Sequence, residues 1–92
     1  MKFADWTNGS NSIPAGTNIR FYSAQSTNHS IADSAVTIDA AGVYSGAMDI
    51  NPAADLNDQL SGRQIQITVE TQVPEGSAGG SYSTSYGVQS IN

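Results

Sequence analysis

Along residues 63–73 the chain alternates polar and apolar side chains almost without a break. Ile65, Ile67, Val69 and Val73 fall on one side of an extended strand; Gln64, Gln66, Thr68, Glu70 and Gln72 fall on the other, because successive strand side chains point to opposite faces. One apolar face and one hydrogen-bonding face predict an antiparallel sheet, packed on one side and wet on the other. The same rhythm recurs in shorter form. Residues 18–24 set Ile19, Phe21 and Ser23 against Arg20, Tyr22 and Ala24. Residues 34–39 read as a strand that Ala40-Ala41-Gly42 turns into residues 43–50, a hairpin with Tyr44, Met48 and Ile50 inward. Gly46 within it marks a bulge or a close neighbour.

The chain opens on a strand, residues 2–6, closed by Asn8-Gly9-Ser10-Asn11. Ile13-Pro14-Ala15-Gly16 follows as a proline-set turn. Residues 81–91 form the last strand, with Tyr82, Thr84, Tyr86 and Val88 on one face. A short helical turn is expected near 52–60: Asn51 caps it, Pro52 suits its first position, Leu56 and Leu60 share a face, and Gly62 suits the exit. Strands broken by turn residues roughly every 8–12 positions predict an all-β fold. The expected form is an antiparallel two-sheet β-sandwich of six to seven strands in a single domain over residues 1–92. Its core is expected to draw Ile19, Phe21, Val36, Ile38, Met48 and Ile50 from the first half. Ile65, Ile67, Val69, Tyr86 and Val88 are expected from the second.

Composition narrows the function. Six Asp and two Glu face only Lys2, Arg20 and Arg63, for a net charge of −5. Binding nucleic acid requires neutralising phosphates, and three scattered cations argue against it; the same holds for anionic membrane surfaces. No apolar run reaches the roughly 18 residues of a membrane span, and no signal peptide opens the chain. The start is therefore that of a cytosolic chain or, the preferred expectation, of a mature or trimmed domain with an added Met1. Without cysteine there is no disulfide, thiolate metal site or thiol nucleophile. Ser, Thr, Asn and Gln supply the polar surface in place of Lys and Glu, which suits a cell-surface setting.

The order of a helical turn, a strongly alternating strand, a loop and a final strand resembles the ending of an immunoglobulin-like sandwich. The cysteine pair of true immunoglobulin domains is missing, and Ile65 stands where a corner tyrosine would be. The stretch from Leu60 through Gln64-Ile65-Gln66-Ile67-Thr68-Val69-Glu70, Val73-Pro74-Glu75-Gly76 and Gly80-Ser81-Tyr82-Ser83-Thr84-Ser85-Tyr86 is similar to the closing strands of immunoglobulin-like modules in prokaryotic pili, surface layers and other envelope proteins. What that resemblance implies is a structural or adhesive module.

Candidate chemistry is sparse. His29, the only histidine, sits between Asn28 and Ser30 and is expected to be an exposed loop residue with no catalytic partner. No serine occupies a Gly-x-Ser-x-Gly elbow, and no enzyme is expected. Asp49, Asn51, Asp55 and Asp58 invite a calcium reading, but the EF-hand positions counted from Asp49 hold Ala53, Ala54 and Leu60. A looser extracellular calcium site stays open beside the plainer reading, caps and solvated faces on a short helix. Asn8-Gly9-Ser10 and Asn28-His29-Ser30 match the N-glycosylation triplet. Lys2 and Asn92, with Glu70 or Asp5 as the assisting acid, could form an isopeptide bond of the kind found in some pilus sandwiches, but the required apolar cage is not evident.

Trp6, Tyr22, Tyr44, Tyr82 and Tyr86 offer aromatic faces for a sugar, with only Tyr22 and Trp6 expected outside the core. The first expectation is therefore a structural module of an extracellular prokaryotic surface protein or filament, pilin-like or surface-layer-like. It would need no cofactor and would assemble by strand pairing with copies of itself or neighbouring domains. Its terminal strands, carrying Phe3, Trp6, Tyr82 and Tyr86, would do the pairing. The alternative is a carbohydrate-binding or adhesive module of a secreted protein.

Overall fold

The computed structural model describes residues 1–51 and 64–90. Its strands, in chain order, are β1 (Lys2–Phe3), β2 (Trp6–Thr7), β3 (Ser12–Ile13), β4 (Ile19–Tyr22), β5 (Val36–Thr37), β6 (Thr68–Thr71) and β7 (Tyr86–Gly87). A 3₁₀ turn, Ala32–Ser34, precedes β5 and is the one helical element among the described residues. The fold is a mostly-β small domain in which every strand pair is antiparallel. The strands form three small sheets, β1-β7, β2-β3 and β5-β4-β6. The helical turn expected near 52–60, with Leu56 and Leu60, lies outside the described residues.

The three-stranded sheet forms where the alternation is cleanest. Arg20 pairs with Thr37 on one side and with Glu70 on the other, while Phe21 lies between Val36 and Val69. Paired residues share a face, so Ile19 and Phe21 point inward with Val36, and Arg20 and Tyr22 point outward with Glu70 and Thr68. Ser23 continues the inner face fully buried, its hydroxyl 3.2 Å from the Gln25 N–H that donates to it. The core is one cluster, in which Phe3 of β1 joins Ala15, Ile19, Phe21, Val36 and Ile38. Ile13, on β3, is also buried.

Two expectations about this core need correction. The hairpin of residues 34–50 does not form: β5 pairs with β4, and the chain then crosses to β1, where the Gly42 N–H donates to the Phe3 carbonyl at 2.9 Å. Gly42 makes that exit with a φ of 73°, a conformation glycine adopts without steric cost. Tyr44 consequently lies exposed, while Met48 packs partly against the core. The second correction concerns the later strands. Ile67 packs partly against the core. Ile65, Val69, Tyr86 and Val88 are exposed, because no described strand packs over them. Phe3, Ile13 and Ala15 supply the core instead.

The entry to β4 is tightly built. The Ala15 N–H donates to Asp5 Oδ1 at 2.8 Å, and the Thr17 N–H donates to the Ile38 carbonyl at 2.6 Å. A Cβ on Gly16 would lie 2.9 Å from the Asp39 carbonyl oxygen and 3.3 Å from the Ala40 Cα, both backbone atoms that cannot swing away. Thr17 itself holds a φ of 64°, costly for a β-branched residue. Gly16→Ala is expected to destabilise by about 1–3 kcal/mol through overpacking. Thr17→Gly is expected to stabilise by about 0.5 kcal/mol, relief of strain exceeding the entropy cost of glycine. Urea melts of the two variants should therefore shift in opposite directions.

Candidate functional site

The most distinctive surface is the pair of strand edges that no described strand covers. The N-terminal segment is engaged on both sides. On one side Gly42 and Ser45 donate to the Phe3 and Met1 carbonyls, each at 2.9 Å. On the other lies the C-terminal segment: Lys2 pairs with Gly87 and Phe3 with Tyr86, and the Ala4 N–H donates to the Ser85 carbonyl at 2.9 Å. Thr7 and Ser83 exchange both of their hydrogen bonds, also at 2.9 Å. Residues 83, 85 and 87 thus turn their main chain toward the N-terminal segment. By the alternation of an antiparallel ladder, Thr84, Tyr86 and Val88 turn theirs to the open side. Among the described strands β6 is likewise paired only with β4. Gln72 donates to the Asn18 carbonyl at 2.7 Å, which by the same alternation leaves the amides of Val69 and Thr71 facing outward.

Apolar side chains accompany both edges. Tyr86 is 69% and Val88 62% exposed beside β7, and Val69 is 39% exposed on β6. The Tyr86 ring centroid lies 6.2 Å from that of Phe3, so this exposed side chain extends the core outward. On the opposite face of the β1-β7 sheet, Lys2 Nζ stands 4.9 Å from the centre of the Tyr44 ring, a cation–π contact. Both side chains lie close over Gly87, where an added Cβ would meet Lys2 Cε at 3.0 Å and the Tyr44 hydroxyl at 3.2 Å. Burial pushes the Met1 α-ammonium below its ordinary value of 8.0.

The outer face of the three-stranded sheet carries a shallow groove of about 470 Å³ lined by Thr17, Asn18, Arg20, Thr37, Glu70 and Gln72, among others. At its centre Arg20 Nε donates to Glu70 Oε1 at 2.8 Å. Both side chains are close to half exposed, so this cross-strand pair contributes little to stability. Its signal was present in the sequence: opposite charges at outward positions of the two most regular segments.

The remaining candidates are placed as structural parts. His29 is half-buried, not an exposed loop residue: its Nδ1 donates to the Ser34 carbonyl, tying the loop to the 3₁₀ turn. Asp49 lies across from Asn28, whose Nδ2 donates to Asp49 Oδ2 at 3.2 Å and whose Oδ1 accepts the Asp49 N–H at 3.1 Å. Asn51 donates its main-chain N–H to the Gln25 carbonyl at 2.9 Å; Asp55 and Asp58 lie outside the described residues. Among the described residues no three His, Asp or Glu side chains gather as metal ligands would.

Of the two glycosylation triplets, Asn28 uses both ends of its amide in these contacts. Asn8 uses Oδ1 to cap its turn, accepting from Ser10 at 3.1 Å and Asn11 at 2.7 Å. Asp5 is held by Ala15 and Glu70 by Arg20, so neither proposed acid is directed at Lys2; Asn92 lies outside the described residues. Trp6, on β2, packs partly against the core, and Tyr22 stands on another sheet, so the two do not form one aromatic platform. Tyr82 is half-buried and donates its hydroxyl to the Ala78 carbonyl at 2.7 Å.

No family model matches the chain, and no curated protein or solved structure is detectably similar to it.

Proposed function

We propose that the chain is a non-enzymatic structural module of an extracellular prokaryotic surface protein or filament. It assembles by pairing open strand edges with neighbouring copies or domains, and its β1-β7 and β5-β4-β6 sheets act as the facing layers of a small immunoglobulin-like sandwich. One observation carries this reading: among the described residues seven apolar side chains are buried while eight large ones stay exposed, several of them beside edges that no described strand covers. A domain this small is marginal alone, and edge pairing would add both main-chain hydrogen bonds and apolar burial. The cysteine-free, acidic chain, poor in Lys and Arg, is in keeping with that role.

The test combines sedimentation with amide hydrogen exchange from dilute to concentrated solution. Association should grow with concentration and slow exchange at residues 68–71, at 84–88, or at both. A chain that stays monomeric, or that associates with neither edge protected, sinks the proposal.

A carbohydrate-binding role is the second reading, favoured by the polar groove over Arg20 and Glu70 with Tyr22 on the same sheet face. Titration with neutral oligosaccharides should shift the Tyr22 and Thr37 resonances; their indifference across a panel ends it.

A further inference from the structure

Granted the assembly reading, on which this rests, we infer that the open edge of β7 pairs with the same edge of a second copy. The two strands run antiparallel about a two-fold axis and join the two β1-β7 sheets into one. Three observations select this edge and this partner. First, the main-chain groups of Thr84, Tyr86 and Val88 lie on the side away from β1, so a second strand can be added without breaking a bond of the existing ladder.

Second, residues 76–90 contain no charged residue and no proline, in a chain of net charge −5. The usual guards of an edge strand, an edge lysine, a proline or an inward-pointing charge, are therefore missing from this one. Two identical acidic chains repel over most of their surfaces, and an uncharged strip is where they approach at least cost. The edge of β6 is a poorer choice for self-pairing. It carries Glu70, and two-fold pairing of β6 with itself would bring that carboxylate near its symmetry mate.

Third, Tyr86 and Val88 are the apolar side chains this pairing would cover. They are 69% and 62% exposed and share the Phe3 face of the sheet. In an antiparallel pair each meets its counterpart directly or diagonally across the new ladder. The contact is isologous, the same patch serving both copies, so it closes at this edge as a dimer.

The experiment is sedimentation equilibrium of the intact chain from micromolar to millimolar concentration, with exchange measured on the same samples. The wild type should dimerise, with the amides of residues 84–88 slowing as the dimer forms. Val88→Lys adds a charge at an exposed position, and Val88→Pro removes an edge-facing N–H; each should weaken dimerisation at least tenfold. Thr71→Lys, on the β6 edge, should leave it unchanged. Circular dichroism checks that each variant remains folded, and the exchange result on the wild type stands without any variant. A dimer that protects residues 68–71 and is lost in Thr71→Lys but kept in both Val88 variants overturns the β7 assignment and leaves the assembly reading intact. A wild-type chain that remains monomeric throughout overturns both.

Discussion

Phe21→Ala is expected to leave a chain that is largely unfolded at room temperature. Phe21 is 2% exposed on the central strand of the three-stranded sheet, flanked on the inner face by Val36 and Val69. Truncating a buried phenylalanine costs about 3–5 kcal/mol, the lost transfer energy plus the cavity left behind. At about 0.05–0.15 kcal/mol per residue, a chain of 92 residues has roughly 5–14 kcal/mol in total. With seven apolar side chains buried among the described residues, a loss of this size is a large share of that total. The informative control is Val69→Ala, which removes a side chain from the same face in the adjacent strand. Val69 is 39% exposed, so its truncation should cost only about 1 kcal/mol. Urea denaturation monitored by circular dichroism compares the two directly. Equal losses would mean that β6 is buried as deeply as β4, contrary to the exposure of its side chains.

That contrast locates the boundary of what the sequence made legible. Alternation specifies which side of a strand a residue occupies, and it did so correctly for Ile19, Phe21 and Ser23 against Arg20 and Tyr22, and for Val69 against Glu70. How deeply a side chain is buried depends on what packs above it, and that partner is not written in the strand itself. Val69 and Phe21 are equally apolar in pattern and sit opposite one another, yet only one is enclosed. The hairpin expected over residues 34–50 failed for a related reason. Nearness in sequence favours pairing of consecutive strands, but here β5 is held by β4 and Gly42 sends the chain to Phe3. His29 is the loop residue expected but is half-buried, because its hydrogen-bond partner, the Ser34 carbonyl, is a main-chain group that no side-chain motif announces. As for the candidate edges, the uncharged run after Glu75 was visible from the start. That its inner side would be occupied by the chain's own N-terminus was not, because two segments at opposite ends of the chain carry no local signal of their pairing.

Phe3→Ala should destabilise by about 3–5 kcal/mol, because Phe3 is 4% exposed and belongs to the same core cluster as Phe21 and Ile38. Tyr86→Ala, its cross-strand partner, should cost less than about 1 kcal/mol, since most of that ring is already in water. Thermal melts of the two variants therefore separate the roles of the two strands: residues 1–7 hold the fold, while Tyr86 and Val88 keep their side chains exposed. The distinction also decides how assembly can be probed. Deleting residues 1–7 would remove Phe3, the Asp5 carboxylate that accepts from Ala15, and the main-chain partners of Ser83 and Ser85. Loss of oligomers after such a deletion would report unfolding rather than a lost interface. If instead Phe3→Ala melts at the wild-type temperature, the N-terminal strand is peripheral, and an exchanged first strand becomes the better account of how copies of this chain would join.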